Sequence, residues 1–307
     1  MTLQQHDRDP ATVRWSLGQY IKPESPVPRL GLLADDRVLR PPTGWPNDLM
    51  AMVEHWHQWE ARLTALDPST LDEVTEVRLV APLTYPRKVI CAGANYYDHA
   101  EEMGTKRPNP TDPPFFFLKP PTTTVIGPLD EIRVHDLAAA KVDWEAELAV
   151  VIADRCKNVP VSQASSHVAG YLVANDISAR GLFTRPSAVF PPFEWDWLAH
   201  KGGDGFCPIG PGLVPAWQIP DPQNLGIQLA VNGVVKQRTS TSNMVMGVDG
   251  LIAAASRLMT LEPGDVILTG TGAGVGMPRA DFLASGDVMV TEVEGLGKLT
   301  NTVVENR

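Results

Sequence analysis

The sequence predicts an α+β fold in which β-structure dominates. Two observations carry this. From Lys88 onward the chain breaks into short β-like runs separated by Gly and Pro. They are Lys88 to Ala92, Phe115 to Leu118, Glu145 to Ala153, Gly170 to Ala174, Leu225 to Val231, Val266 to Thr269 and Val288 to Val293. Only one long helix stands among them, Asp249 to Met259, so strands do not alternate with helices as a doubly wound fold requires.

The individual elements follow from local chemistry. Val13 to Tyr20 and Arg29 to Leu39 read as strands broken by Pro and by the turn Asp35-Asp36. Asp48 to Leu66 reads as a helix after Pro46, with Asn47 or Asp48 as its cap. A charged connection, Asp67 to Pro82, ends this region. It divides a small N-terminal α/β domain (1–80) from a larger domain (81–307). Val231-Asn232-Gly233-Val234 is a hairpin signal, because Asn-Gly tolerates positive φ at both turn positions. No internal repeat or low-complexity tract is present.

Composition narrows the function. The 307 residues carry a net charge of −10, which disfavours coating nucleic acid or an anionic membrane. Apolar residues at 43% allow a substantial core. Met1 to Trp15 contains no apolar signal region, and the longest apolar runs, such as Leu148 to Ala153, are too short to span a bilayer. Cys91, Cys156 and Cys207 are widely spaced and form neither a disulfide framework nor a zinc pattern. They read as buried small side chains in a reducing cytoplasm.

Chemistry concentrates in a few segments. In Asp143-Trp144-Glu145-Ala146-Glu147, residues two apart share a strand face. A solvated strand face is the plain reading. However, the run continues Leu148-Ala149-Val150-Val151-Ile152, apolar on both faces, so the carboxylates stand at the mouth of a buried strand. Carboxylates gathered there repel unless a cation lies between them, and oxygen ligands favour Mg²⁺, Mn²⁺ or Ca²⁺ over zinc. Asp176 is the best third carboxylate, expected to open a short helix; a helix cap is the other reading. Arg180, on the same helix face, would pair with Asp176 or bind a substrate carboxylate. His99 and Glu102 adjoin in a helical turn and suit a general base with its orienting carboxylate, or a surface ion pair. Lys201, in a Gly-rich stretch, suits an anion or an exposed loop. Thr269 to Gly276 fails the dinucleotide pattern in every register, so its glycines and the Thr271 hydroxyl read as close-approach points for a small ligand. His55 and His57 face apart on a helix and read as structural or surface residues.

Taken in order, these segments resemble the fumarylacetoacetate hydrolase family. The resemblance rests on Asn95-Tyr96 with His99 and Glu102, on Phe117-Leu118-Lys119-Pro120, and on Asp143 to Leu148. It continues through Gly170-Tyr171 to Arg180, Lys201 to Pro208, and Leu261 to Gly276, covering about Pro86 to Val304. It implies a mixed β-roll or β-sandwich catalytic domain, usually a homodimer. It implies Mg²⁺ or Mn²⁺ on Glu145, Glu147 and Asp176, and a His99–Glu102 dyad on a lid. Lys201 is implied at the oxyanion, and Arg180, Thr271 and Gly270 at the substrate. Substrates would be 2-oxo or 2,4-dioxo acids, as in the breakdown of aromatic compounds. The chain departs from the pattern at Gly272, where the family has Pro, and at Gly202, Gly203 and Gly205. A long aromatic segment, Phe190 to Trp197, also separates Arg180 from Lys201; its rings are expected to line the pocket or the dimer interface, or to pack in the core.

The expectation is therefore a metal-dependent hydrolase that cleaves a C–C bond in a 2,4-dioxo acid. His99 and Glu102 would activate water, and Lys201 would face the oxyanion. A decarboxylase, isomerase or hydratase of a related oxo acid is the alternative. A catalytically idle oxo-acid binder is a third class, against which the intact dyad argues.

Overall fold

The computed structural model describes residues 15–306. The expectations for residues 1–14, including the missing signal region and the start of the first strand, lie outside the described residues. An eleven-stranded sheet forms the centre. Its N-terminal wing contains β1 (Ser16–Lys22), β2 (Ser25–Ala34), β3 (Arg37–Leu39) and β4 (Arg78–Val80). β5 (Val89–Gly93) and β6 (Phe115–Lys119) close the other edge, and β7 (Val125–Ile126) joins off the main path. A smaller sheet begins with β8 (Glu131–Val134), and β9 (Val142–Asp143) belongs to a two-stranded ribbon. Then come the central strands β10 (Ala146–Ile152) and β11 (Val168–Asn175), the ribbon partner β12 (Ser178–Ala179), and β13 (Cys207–Pro215). The smaller sheet continues with β14 (Gly226–Val231) and β15 (Val234–Ser240). β16 (Val266–Thr271) returns to the large sheet, and β17 (Val288–Val293) and β18 (Gly297–Glu305) complete the small one. The path of the large sheet is β3-β2-β1-β13-β11-β10-β16-β5-β6, and that of the small sheet is β15-β14-β17-β18-β8. The fold is α+β and mostly β, as the sequence predicts.

Helices are short. They are α1 (Leu49–Val53), α2 (Trp56–Thr64), α3 (Tyr97–Glu102), α4 (Leu137–Ala140), α5 (Trp197–Lys201) and α6 (Val248–Leu258). Among the described residues none is long and apolar enough to cross a membrane. The expected helix over Asp48 to Leu66 is two helices, because the backbone leaves helical conformation at His55 (φ −129°, ψ 32°). Asp48 does cap the first, accepting from the Ala51 N–H at 2.9 Å. At α6 the cap is supplied from a distance: Gln223 Oε1 accepts from the Val248 N–H at 2.7 Å. The Asn232-Gly233 turn forms as expected, with φ of 50° and 79°, and joins β14 to β15.

β10 shows why its apolar residues are continuous. Leu148, Val150 and Ile152 enter the core between the two sheets with Leu229, Met289 and Val303. Ala149 and Val151 enter a second core on the opposite face with Leu17, Leu32 and Trp56. A strand buried on both faces needs no polar alternation. The second core therefore contains side chains from both sides of the boundary expected near residue 80. The sheet also crosses it, since β1 pairs with β13 at Leu17 and Leu213.

One buried amide knits the N-terminal segments to this sheet. Gln19 donates to Ala81 O and to Thr84 Oγ1, each at 2.9 Å, and accepts from the Leu49 N–H at 3.2 Å. Gln19→Leu keeps the volume and leaves these partners unsatisfied. The expected cost is about 2–4 kcal/mol, read as a lower urea midpoint with an unchanged slope.

Candidate metal centre and active site

The site is built by strand register. β10 pairs with β11 so that Ala146 faces Asn175 and Glu147 faces Ala174. The residues just past that pair are Glu145 and Asp176, which therefore meet; the Asp176 N–H donates to Glu145 O at 2.8 Å. On the other side of β10, β16 places Thr271 opposite Glu147. The carboxylates of Glu145, Glu147 and Asp176 each present an oxygen within 4.8 Å of the others, and all three residues are buried.

Several expectations change here. The strand is interrupted between β9 and β10, so Asp143 does not join the carboxylate trio. It accepts from the Gly276 N–H at 2.6 Å and the Met277 N–H at 3.0 Å, and holds Arg180 Nε at 2.9 Å. Asp176 opens no helix; it lies between β11 and β12. Arg180 consequently does not pair with Asp176. Its guanidinium spans Asp143 and Glu145, reaching Glu145 Oε1 at 2.6 Å. Lys201 is not on an exposed loop. It ends α5, is buried, and its ammonium bridges Glu145 Oε2 at 2.9 Å and Asp176 Oδ2 at 2.8 Å.

Lys119 is the residue that sequence reasoning missed. It ends β6 fully buried, with Nζ 2.6 Å from Asp176 Oδ1. An ammonium has three N–H donors. Here they serve three carbonyls, Ile177 O at 3.0 Å, Lys201 O at 2.8 Å and Phe206 O at 2.7 Å. Asp176 Oδ1 thus feels the charge but receives no hydrogen bond. A lysine closing the apolar run Phe115-Phe116-Phe117-Leu118 was the available signal.

The electrostatics follow from these contacts. Burial alone would raise the Glu145 carboxyl, but Lys201 and Arg180 hold it well below its ordinary value, and His99 adds to this. Glu147 goes the other way. Burial, then repulsion from Asp176 and Glu145, pushes it well above the usual carboxylate range. The Lys201 charge opposes this, and so does the Gly270 N–H, 2.6 Å from Oε2. That approach is possible because Gly270 has φ +93°, and a Cβ there would lie 2.9 Å from the Asn95 Cβ. Three all-oxygen donors, one repelled and one with an oxygen lacking any hydrogen bond, fit a hard divalent cation.

The other expected residues surround this centre. α3 is anchored: Asn95 bonds Thr269 O at 2.8 Å, and Asp98 accepts from Thr239 Oγ1 at 2.5 Å. His99 Nδ1 lies 3.7 Å from Glu102 Oε2, an ion-pair contact beyond hydrogen-bond reach, and is buried without any hydrogen-bond partner. Glu102 is engaged elsewhere, accepting from the Gly274 N–H at 2.9 Å and from Arg279 at 3.0 Å. Thr271 is also committed: its hydroxyl donates to Ala146 O and accepts from Gln237, both at 2.9 Å. The aromatic segment divides. Trp197 packs on Phe115, Phe117 and Phe183 at centroid distances of 4.9, 5.1 and 5.0 Å. Phe117 also lies under Lys201 Nζ at 5.3 Å, so this stack forms a wall beside the site. Phe193 and Trp195 remain half exposed.

Residues 88–304 match the family described as "Fumarylacetoacetate (FAA) hydrolase C-terminal". The chain belongs to the fumarylacetoacetate hydrolase family. Among its relatives in that family, a mitochondrial oxaloacetate tautomerase of Xenopus laevis is 40% identical over 297 residues, covering 94% of this chain and 90% of that one. The fumarylacetoacetate hydrolase of psychrophilic Exiguobacterium antarcticum superposes with a TM-score of 0.80 at 32% identity, covering 95% of this chain and all of that one. A fumarylpyruvate hydrolase from Pseudomonas aeruginosa, solved with Mn²⁺ and pyruvate, superposes with a TM-score of 0.62 at 33% identity over 72% of this chain and 90% of its own. Family members are thus enzymes of more than one reaction type acting on small oxo acids.

The opposed carboxyls make a pH prediction for the chelator-treated protein. Glu147 titrates above its unfolded value. Its contribution is therefore full below about pH 4.3 and is lost as pH rises through its folded value. Glu145 titrates below, so its contribution holds above about pH 4.3 and is lost as pH falls through its folded value. At neutral pH Glu147→Gln should accordingly raise the melting temperature of metal-free protein by about 2–4 °C. The same variant should lose the stabilisation that added Mn²⁺ gives the wild type, as read by differential scanning fluorimetry.

Proposed function

We propose that the protein catalyses proton transfer at the carbon beside the carbonyl of a 2-oxo acid, the keto–enol interconversion of an oxaloacetate-like substrate. The observation that carries this is His99 Nδ1. It is buried, has no hydrogen-bond partner, and stands near the carboxylate centre without a hydrogen bond from Glu102. An imidazole with a free nitrogen can take a proton from carbon and return it to oxygen. Glu102, the carboxylate that would orient the imidazole in a water-activating dyad, is instead occupied by Gly274 and Arg279. The 40% identity to an oxaloacetate tautomerase over nearly the whole chain supports the same reading.

Glu145, Glu147 and Asp176 would hold Mg²⁺ or Mn²⁺, which when bound supplies Lewis-acid polarisation of the oxo-acid oxygens. Lys201 spends two of its three N–H donors on Glu145 and Asp176 and has one left for the developing enolate oxygen. Arg180, held by Asp143 and Glu145, acts through its charge on Glu145 rather than by gripping substrate. The Phe117–Trp197–Phe183 stack keeps water from Lys201's flank and sets the size of the substrate tail. Hydrolysis of acylpyruvates is the second reading, favoured by the His99–Glu102 adjacency and by likeness to a fumarylpyruvate hydrolase. The exposed apolar residues Phe115, Leu118 and Leu198 support a homodimer.

The test is a parallel assay with Mn²⁺ or Mg²⁺. Enol-oxaloacetate should ketonise faster with enzyme, with neither CO₂ release nor pyruvate formation from acylpyruvates. Pyruvate release from acylpyruvates, with no effect on enol-oxaloacetate, would replace this reading by the hydrolase. His99→Ala should lower kcat by about 10²–10⁴-fold and leave Mn²⁺ affinity unchanged by calorimetry. Loss of the ion in that variant would make His99 a ligand instead.

A further inference from the structure

A second cluster of metal-ligating groups stands at the far end of β10. The Asp154 carboxylate, the Cys156 thiol and the His167 imidazole each offer an atom within 4.8 Å of the others. Asp154 lies seven residues beyond Glu147 on this strand direction, so the two centres are about 23 Å apart along the chain. The donors here differ in kind from the all-carboxylate trio.

A second imidazole reaches the same carboxylate. His57 Nε2, from α2, lies 3.3 Å from Asp154 Oδ2, while His167 Nδ1 lies 2.5 Å from Oδ1. His57 Nδ1 meets Glu60 Oε2 at 3.2 Å. With a carboxylate at each ring nitrogen, His57 acts as a donor to both and orients Asp154 from behind, as outer-shell partners of metal ligands do. The backbone holds the other donors in place. Cys156 exchanges two hydrogen bonds with Leu261, at 3.0 and 2.9 Å, and the Ala153 N–H donates to His167 O at 2.8 Å. Cys156 is buried, while His57, Asp154 and His167 are reachable from solvent.

We propose that Asp154, Cys156 and His167 form a binding site for a borderline-soft divalent cation of the zinc type, with His57 bracing Asp154 from behind. Thiolate and imidazole donors select such an ion over Mg²⁺ or Mn²⁺, and three protein donors leave one tetrahedral position for water. The site clips α2 to the β10–β11 hairpin and thereby ties the N-terminal segment to the strands that carry Glu147 and Asp176. The two centres take different ions because their donors differ.

Co²⁺ is the probe, since thiolate ligation gives a sulfur-to-cobalt charge-transfer band that oxygen ligation lacks. Chelator-treated full-length protein titrated with Co²⁺ should develop that band, and added Zn²⁺ should bleach it. Glu147→Gln should keep the band, and Cys156→Ser should lose it. His57→Ala, a change at a half-exposed side chain, should weaken Co²⁺ binding at this site by at least about tenfold. Absence of the band in the wild type would reduce the cluster to a surface His–Asp ion pair. A band surviving in Cys156→Ser would assign it to Cys91 or Cys207. Unchanged affinity in His57→Ala would remove the clip between α2 and the hairpin. Each of these three results overturns the proposal.

Discussion

The centre of this protein depends on balancing buried charge. Asp143, Glu145, Glu147 and Asp176 are withdrawn from water together with Lys119, Lys201 and Arg180. The carboxylates exceed the cations by one, and among the described residues Glu147 is the one of the four outside the ion pairs. Removing any one cation would leave an unpaired buried charge, which costs far more than the pair itself contributes. The pairing therefore dictates how the strands around it must end. β10, β11, β6 and α5 all terminate where one of these side chains enters the cluster.

The same balance accounts for residues that do not touch the trio. Asp143 holds the Gly276 and Met277 amides while anchoring Arg180, so the Gly-rich turn and the charge cluster share one support. Glu102 binds that turn from the other side through the Gly274 N–H. Gln237 accepts from the Ala146 N–H and donates to Thr271 and Gly272, joining the small sheet to the mouth of β10. Thr271 serves this network rather than standing free. The loop that passes the centre is thus held rigid by side chains from three directions, as a preorganised site requires.

The charges also divide labour between the two ends of β10. At the Glu147 end, hard oxygen donors are neutralised by lysine and arginine. At the Asp154 end the partners are the imidazoles of His57 and His167, with the Cys156 thiol close by. The strand between them is buried on both faces by two separate cores. It is a stiff spacer, so the N-terminal segment and the carboxylate centre are held by one element.

Local pattern determined much of this protein. The alternation between strands and Gly/Pro breaks placed β5, β6, β10, β11, β14, β16 and β17, because a strand's faces and ends are written within a few residues. The ordered segments likewise revealed the family and picked out Glu145, Glu147, Asp176, His99 and Lys201. Pairings that span the chain were decided by the tertiary structure. That Arg180 would choose Asp143 and Glu145 over Asp176 depended on a strand break at Trp144 that no periodicity announces. That Lys119 would be buried against Asp176 depended on β6 lying at the sheet edge beside α5. That His57 would meet Asp154 depended on α2 packing under a hairpin ninety-seven residues away. A side chain's partners are chosen by which elements the two cores bring together, and sequence spacing is silent on contacts made through space.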